Sequence, residues 1–350
     1  MTKKVLSSNL RFNQFPMEIK TITSANISVF FNNLVKSGKV VVAPVLKQSG
    51  KVFFESVQSY DQVSTDYIQT AFSAKSVVFP EVEELFSYTK KEDGDFEFRN
   101  DMSNVPETVI WGLRPCDSSA FNYLTDFFLK ENPDTYFKLR KERTTLISVS
   151  CAEADAACFC TSVGLNPGSV TGSDILLTAM GDSYYVEIST EKGKSLIDDT
   201  LFTDSTEKGK EEFLAKVETK FSMDEIRERI QTAYDSAEWK HESMGCLGCG
   251  ACAFSCPTCT CFDIQDEGSQ ESGKRLRCWD ACGFGQFTRH ASGHNPKPNQ
   301  TARRRQRLMH KFKYSVENFG IVSCVGCGRC IRVCPAHLNI FENILNVTKA

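Results

Sequence analysis

The chain has 350 residues, 41% of them hydrophobic and 24% charged, with a formal net charge of −3. That length suits two domains better than one core, and the slightly acidic balance speaks against nucleic acid or an anionic membrane as partner. No apolar run reaches the roughly 18 residues that a transmembrane helix needs, so no membrane insertion is expected.

The first stretch, MTKKVLSSNLRFNQ, has two lysines with no apolar segment behind them. It is not expected to act as a signal peptide, and a cytoplasmic location follows as the expectation. Ser24 is a candidate cap for a helix that puts Ile27, Phe30, Phe31, Leu34 and Val35 on one face and stops at Gly38. VVVAPVL at 40–46 and KVFFESV at 51–57 read as strands, as does TVIWGL at 108–113. Asp117 or Ser118 is then placed to cap a helix with Phe121, Leu124, Phe127 and Phe128 inward. TTLISVS at 144–150 and the alternating SYYVEIS at 183–189 are further strands. The charged segments 207–220 and 223–238 are expected to be amphipathic helices. The fold class is therefore an α/β N-terminal domain over 1–238 with a mainly parallel sheet. A loop-rich second domain over 239–350 follows, too poor in apolar periodicity to order itself without metal.

The cysteines follow that division. There are 16, none before Cys116, four between 116 and 160, and twelve between 246 and 334. A reducing compartment disfavours disulfides, which leaves metal binding as the reading of so many thiols. Cys246, Cys249, Cys252 and Cys256-Pro257 repeat the spacing of Cys324, Cys327, Cys330 and Cys334-Pro335. This is the bacterial ferredoxin run, in which two-residue gaps let a tight loop present three thiolates to one cubane. Gly248, Gly250, Gly326 and Gly328 suit the backbone dihedrals of such loops. Structural zinc pairs shorter knuckles and lacks the spaced fourth cysteine with its proline. In two-cluster ferredoxins the fourth cysteine of each run serves the other cluster. Carried over, Cys246, Cys249, Cys252 and Cys334 form one [4Fe–4S] set, and Cys324, Cys327, Cys330 and Cys256 the other. The domain is thus ferredoxin-like, with a long insert at 257–323.

The four earlier cysteines have no general spacing rule. Cys116 and Cys151 lie just past two strands, where an open parallel sheet gathers its ligand sites. Cys158 and Cys160 follow on the next loop. A third cluster and a group of packed thiols both remain open on this ground. Cys259, Cys261, Cys278 and Cys282 are left over, as a fourth cluster or as buried thiols beside the others. Seven lysines and arginines and no acid fall between Lys297 and Lys313. They are read as cations packed against anionic clusters, or docking an acidic partner, rather than as a solvated helix face or a nucleic-acid patch.

Several stretches together resemble one family: GLRPCDSSAF (112–121), CFCTSVG (158–164), GSDILLTAMGDSYYVE (172–187), CPTCTCFDI (256–264), WDACGF (279–284), SGHNPKP (292–298) and CVGCGRC (324–330). The chain is similar to the beta subunits of cytoplasmic NAD(P)-linked sulfhydrogenases and to the A subunits of anaerobic sulfite reductases, from about residue 105 onward. The resemblance implies a cluster at Cys116, Cys151, Cys158 and Cys160, and it includes Cys259, Cys261 and Cys282 but not Cys278. It further implies an iron–sulfur relay between a flavin/NAD(P)-binding subunit and a terminal hydrogenase, sulfite reductase or similar reductase subunit. No G-x-G-x-x-G follows a strand, no Walker A motif is present, and the five histidines lack zinc-hydrolase spacing. The alternatives are a self-contained reductase with a substrate site at the N-terminal cysteines, and a metal-stabilised scaffold without redox turnover.

Overall fold

The computed structural model describes residues 15–100, 102–205 and 209–349. Among the described residues twelve strands are formed: β1 Glu18–Thr23, β2 Val40–Leu46, β3 Val52–Val57, β4 Val82–Lys90, β5 Phe96–Arg99 and β6 Thr108–Leu113, then β7 Thr144–Val149, β8 Ile175–Met180, β9 Ser183–Ile188, β10 Thr203–Asp204, β11 Phe262–Gly268 and β12 Ser272–Trp279. Eight of them make one sheet in the order β10-β1-β9-β8-β7-β6-β2-β3. Its centre is parallel, with β2, β6, β7 and β8 paired in one direction. The pairs β2–β3, β8–β9, β9–β1 and β1–β10 are antiparallel. The sheet is therefore mixed rather than mainly parallel. The cause is local: β2–β3 and β8–β9 are connected by short turns around Gly50 and Gly181, both at positive φ, and a tight turn can join only antiparallel neighbours.

Helices cover both faces. The helix α1, Ser24–Lys36, is capped by Thr23, whose hydroxyl accepts from the Asn26 N–H, one residue before the expected Ser24. Its buried Ile27, Phe30, Phe31 and Leu34 meet Val109, Trp111, Ile147 and Leu177. The helices α2, Pro115–Leu129, and α3, Thr135–Glu142, bring Phe121, Leu124, Phe128 and Phe137 against Ile110, Leu113 and Leu146 on the other face. The alternation Val109/Ile110/Trp111 explains why β6 is buried on both sides. A register shift between Trp111 and Leu113, at Gly112 with φ +77°, then breaks the alternation and puts Leu113 on the Ile110 face. α2 begins at Pro115, earlier than the expected Asp117 or Ser118 cap, because proline at the first helical position needs no N–H partner.

A second, antiparallel sheet has the order β11-β12-β4-β5, so it takes two strands from each side of residue 239. Residues 257–323 are more regular than expected. They contain the β11–β12 hairpin and a helix Gln300–Met309 that runs through a π-turn, His310–Tyr314, into Ser315–Phe319. The hairpin is held by its edge pairing to β4 and by Arg277, which is buried against Glu83 and Asp134. The charged segments behave differently from expectation as well. Residues 206–208 lie outside the described residues. Of the rest of 207–220, only Lys210–Phe213 forms a short 3-10 turn. Tertiary bonds hold this segment extended: Lys210 pairs with Glu187, and the Ala215 N–H donates to the Cys151 carbonyl at 2.7 Å. In 223–238 an α-helix forms over Met223–Arg229, and the next begins only at Glu238. Among the described residues no helix is long and apolar enough to cross a membrane.

Candidate metal centres

Cys116 and Cys151 leave the carboxyl ends of the adjacent parallel strands β6 and β7, the position where open α/β sheets collect ligands. Cys158 and Cys160 come back over that edge on the following loop. The charges of the four sulfurs reach one another: Cys116 feels Cys151, and Cys160 feels Cys151 and Cys158. Burial, with those neighbours adding, pushes the Cys160 thiol up to about 12. Burial also raises Cys151 to about 11, against the pull of Arg114. Such thiols stay protonated unless a metal takes the charge of the thiolate. Gln69 Nε2 lies 3.2 Å from Cys116 Sγ and Arg332 Nη2 lies 3.1 Å from Cys158 Sγ, so two sulfurs already have N–H donors.

The two ferredoxin runs interlock. Cys246, Cys249 and Cys252 line one cavity together with Cys334. Cys324, Cys327 and Cys330 line another together with Cys256. Gly248, Gly250, Gly326 and Gly328 all have positive φ, between +62° and +75°, which lets three thiols of each run turn inward. Neither cavity is lined by Asp, Glu or His. Cavities lined by several sulfurs with no hard oxygen ligand fit iron–sulfur clusters. The sulfurs again have donors: Gln300 Nε2 at 3.1 Å from Cys246, the Leu338 N–H at 3.3 Å from Cys334, and Lys311 Nζ at 3.3 Å from Cys256.

The N-terminal set abuts the second run. Cys116, Ala120, Val325 and Cys327 pack as one small buried group. Beside it, Arg329 and Asp117, each 1% exposed, form a two-pronged ion pair at 2.5 and 2.7 Å. The Phe159 N–H donates to the Gly326 carbonyl at 2.9 Å. The loop that carries Cys158 and Cys160 is thus laid directly on the loop that carries Cys327.

The remaining four cysteines separate into three and one. The Cys261 and Cys282 thiols are in hydrogen-bonding contact, and Cys259 is in contact with Cys256. Cys278 does not join them. It pairs across the hairpin with Asp263, one residue before Trp279, and Trp279 turns to the opposite face, against Phe79. Burial and the Glu267 and Asp263 carboxylates raise its thiol. The period-2 geometry of β12 therefore sets Cys278 apart from Cys259, Cys261 and Cys282, with which the sequence grouped it as a fourth cluster or as buried thiols.

The basic segment divides by depth. Arg304, Arg307 and Lys311 are buried, while Arg305 is half-buried and stacks on Tyr234 at 4.1 Å. Arg307 Nη1 lies 3.2 Å from Cys259 Sγ, and its Nη2 donates to the Cys252 carbonyl at 2.7 Å. Lys75, buried and with no sequence signal to mark it, donates to the Cys259 carbonyl at 2.9 Å and lies over the Trp279 ring. Burial lowers the Lys75 ammonium, whereas for Lys311 the sulfurs of Cys256 and Cys259 outweigh burial and hold it charged. Sequence reasoning also missed Gln69, Asp117 and Arg329. The arginine stands inside the second run, but its partners come from more than 200 residues away.

Residues 245–338 match the 4Fe-4S dicluster domain family. Over 332 residues the chain is 31% identical to the sulfhydrogenase 2 subunit beta of Pyrococcus furiosus, an alignment that covers 90% of this chain and 95% of that protein. Together with the sulfur-lined cavities, this defines an iron–sulfur electron-transfer subunit of an oxidoreductase complex. The particular family follows from the length and level of the match: the chain belongs to the sulfhydrogenase beta-subunit family.

Proposed function

We propose that the chain is a three-cluster relay between a flavin/NAD(P)-binding subunit and a terminal hydrogenase or reductase subunit in the cytoplasm. When bound, the clusters supply one-electron storage and transfer. Cys116, Cys151, Cys158 and Cys160 hold one; Cys246, Cys249, Cys252 and Cys334 hold the second; Cys324, Cys327, Cys330 and Cys256 hold the third. The observation that carries the reading is the exchange of Cys256 and Cys334 between the two runs, which sets a fourth sulfur beside the three of each run. The packing of Cys116 on Cys327 supports a continuous path. On this reading residues 239–350 form a ferredoxin-like domain with an insert at 257–323, on an α/β domain at 1–238. The chain's own side chains hold the sulfurs, exclude water and set potentials through N–H donors and buried cations. The test is anaerobic purification followed by iron and sulfide analysis and EPR of the dithionite-reduced protein. At least about twelve iron per chain and spin-coupled cubane signals are expected; uncoupled or absent signals refute the relay.

One feature favours a second reading. A cavity opens at the carboxyl ends of β6, β7 and β8, lined by Tyr67, Trp111, Arg114 and Glu153 beside Cys151. A self-contained reductase would use it for substrate. Turnover of the isolated chain with NAD(P)H decides between the two: the relay reading requires none.

A further inference from the structure

We infer that Cys259, Cys261 and Cys282 hold a further iron–sulfur cluster, a [4Fe–4S] cubane bound by three protein thiolates, whose fourth iron takes a non-cysteine ligand. This deepens the relay reading and rests on its assignment of the other twelve cysteines.

The first ground is convergence. β11 and β12 close a hairpin whose Phe262 and Trp279 are paired, and the Asp280 N–H donates to the Cys261 carbonyl at 3.0 Å. The strand ends are thereby fixed, and Cys261 and Cys282 emerge from them with their thiols in contact. Cys282 also lines the cavity of Cys246, Cys249 and Cys252. Cys259 lies against Cys256, a ligand of the other run. The three thiols therefore stand between the two ferredoxin sites, where an electron carrier is of use and a structural zinc is not required.

The second ground is charge and is independent of the first. Lys75, Arg307 and Lys311 are 2%, 5% and 2% exposed. Among the described residues none of the three has a carboxylate within ion-pairing distance; their partners are cysteine sulfurs, carbonyls, Thr258 and the Trp279 ring. Arg307 Nε, fully buried, has no hydrogen-bond partner at all. Buried cations need a counter-charge, and an unpaired one costs several kcal/mol. The ferredoxin-run sulfurs Cys252, Cys256, Cys324 and Cys330 answer part of it for Arg307 and Lys311, whereas Lys75 has only Cys256 of these, beside Cys259 and Cys261. A thiolate-bound cluster at Cys259, Cys261 and Cys282 puts anionic sulfur among all three cations. The π-turn at His310–Tyr314, a feature often found at functional sites, belongs to this arrangement, since it contains the inward-facing Lys311.

The full-length protein, purified anaerobically, is compared with Cys261→Ser/Cys282→Ser and with Cys278→Ser for iron, acid-labile sulfide and zinc. About sixteen iron and sulfide in the parent, about twelve in the double variant, and about sixteen in Cys278→Ser are expected. About twelve in both parent and double variant overturns this inference and leaves the three-cluster reading standing, whether the thiols prove free, bonded to each other or bound to zinc. Fewer than about twelve in the parent overturns both. A loss in Cys278→Ser equal to that of the double variant overturns the three-thiolate assignment. Because the double variant can fail to fold, the parent is also treated briefly with ferricyanide. A cubane with only three thiolates yields the EPR signal of a three-iron cluster, and absence of that signal overturns its open iron.

Discussion

Gly328→Ala tests whether two metal sites share one seam. Gly328 has φ +72°, and a Cβ built on it falls 2.7 Å from the Ala157 carbonyl carbon and 2.9 Å from the Ala157 Cβ. The left-handed backbone alone costs an alanine about 1–2 kcal/mol. The overlap is with backbone, which cannot rotate away as a long side chain would, and adds about 1–3 kcal/mol of overpacking. Gly164→Ala separates the two costs, because Gly164 has φ +82° with nothing within 4 Å of its Cβ. Gly164→Ala is expected to cost only the backbone part, about 1–2 kcal/mol, and Gly328→Ala about 2–5 in total. The assay is anaerobic urea unfolding, followed in parallel by visible cluster absorption and by far-UV circular dichroism. Since Ala157 precedes Cys158 and Cys160, relief of the overlap should also shift those ligands and lower the iron content. The reasoning is refuted if the two variants have the same midpoint and the same iron.

Three further outcomes follow from side-chain contacts. Asp117→Asn leaves Arg329 buried without a carboxylate, with only neutral acceptors in the Gln69 and Thr70 oxygens and one amide oxygen; it is expected to cost about 3 kcal/mol in urea unfolding, and a cost below about 1 would mean that the pair is not buried. Gln300→Leu removes the N–H donor to Cys246 and is expected to lower the reduction potential of the cluster at that run, read by EPR-monitored titration; an unchanged or higher potential contradicts the role given to this bond. His310 is held down at about 4 by burial and by the Lys311 and Arg307 cations. Its neutral form therefore contributes stability that is complete above pH 6.5 and is lost as pH falls from there toward 4, about 3 kcal/mol in all. His310→Gln should flatten the pH dependence in that window, and equal slopes for parent and variant would exclude the histidine as the cause.

What could be read from the sequence was what is local. β6 and β7 are short apolar runs bounded by turn residues, and α1 shows its buried Ile27, Phe30, Phe31 and Leu34 at helical spacing. The ferredoxin runs are legible because a cubane needs several thiols within one tight loop. What could not be read depends on partners far away. β11 and β4 carry charges on both faces, FDIQDEG and VEELFSYTK, so neither shows the alternation of a half-buried strand; they form because β12 lies between them, with Arg277 matched to Glu83. The segment around Lys210 has helix-forming composition, but its lysine and backbone are engaged by Glu187 and Cys151, and tertiary bonds override propensity.

The candidate sites divide along the same line. Cys278 was grouped with Cys259, Cys261 and Cys282 only as a cysteine left over, and the face of β12 on which it falls was set by Trp279 packing on Phe79, a contact made across 200 residues. The basic segment was visible, but not which of its cations are buried. That selection comes from the helix 300–309 and the π-turn after it, which point Arg304, Arg307 and Lys311 inward and leave Arg305 half-buried against Tyr234. Lys75 was invisible for the opposite reason. It is one lysine in an apolar stretch, and only the fold places it with Arg307 and Lys311 about sulfurs 180 residues later in the chain. Charge around a cluster is therefore a tertiary property. It is assembled from separate segments and meets at sulfur positions that the sequence can mark but whose cations it cannot name.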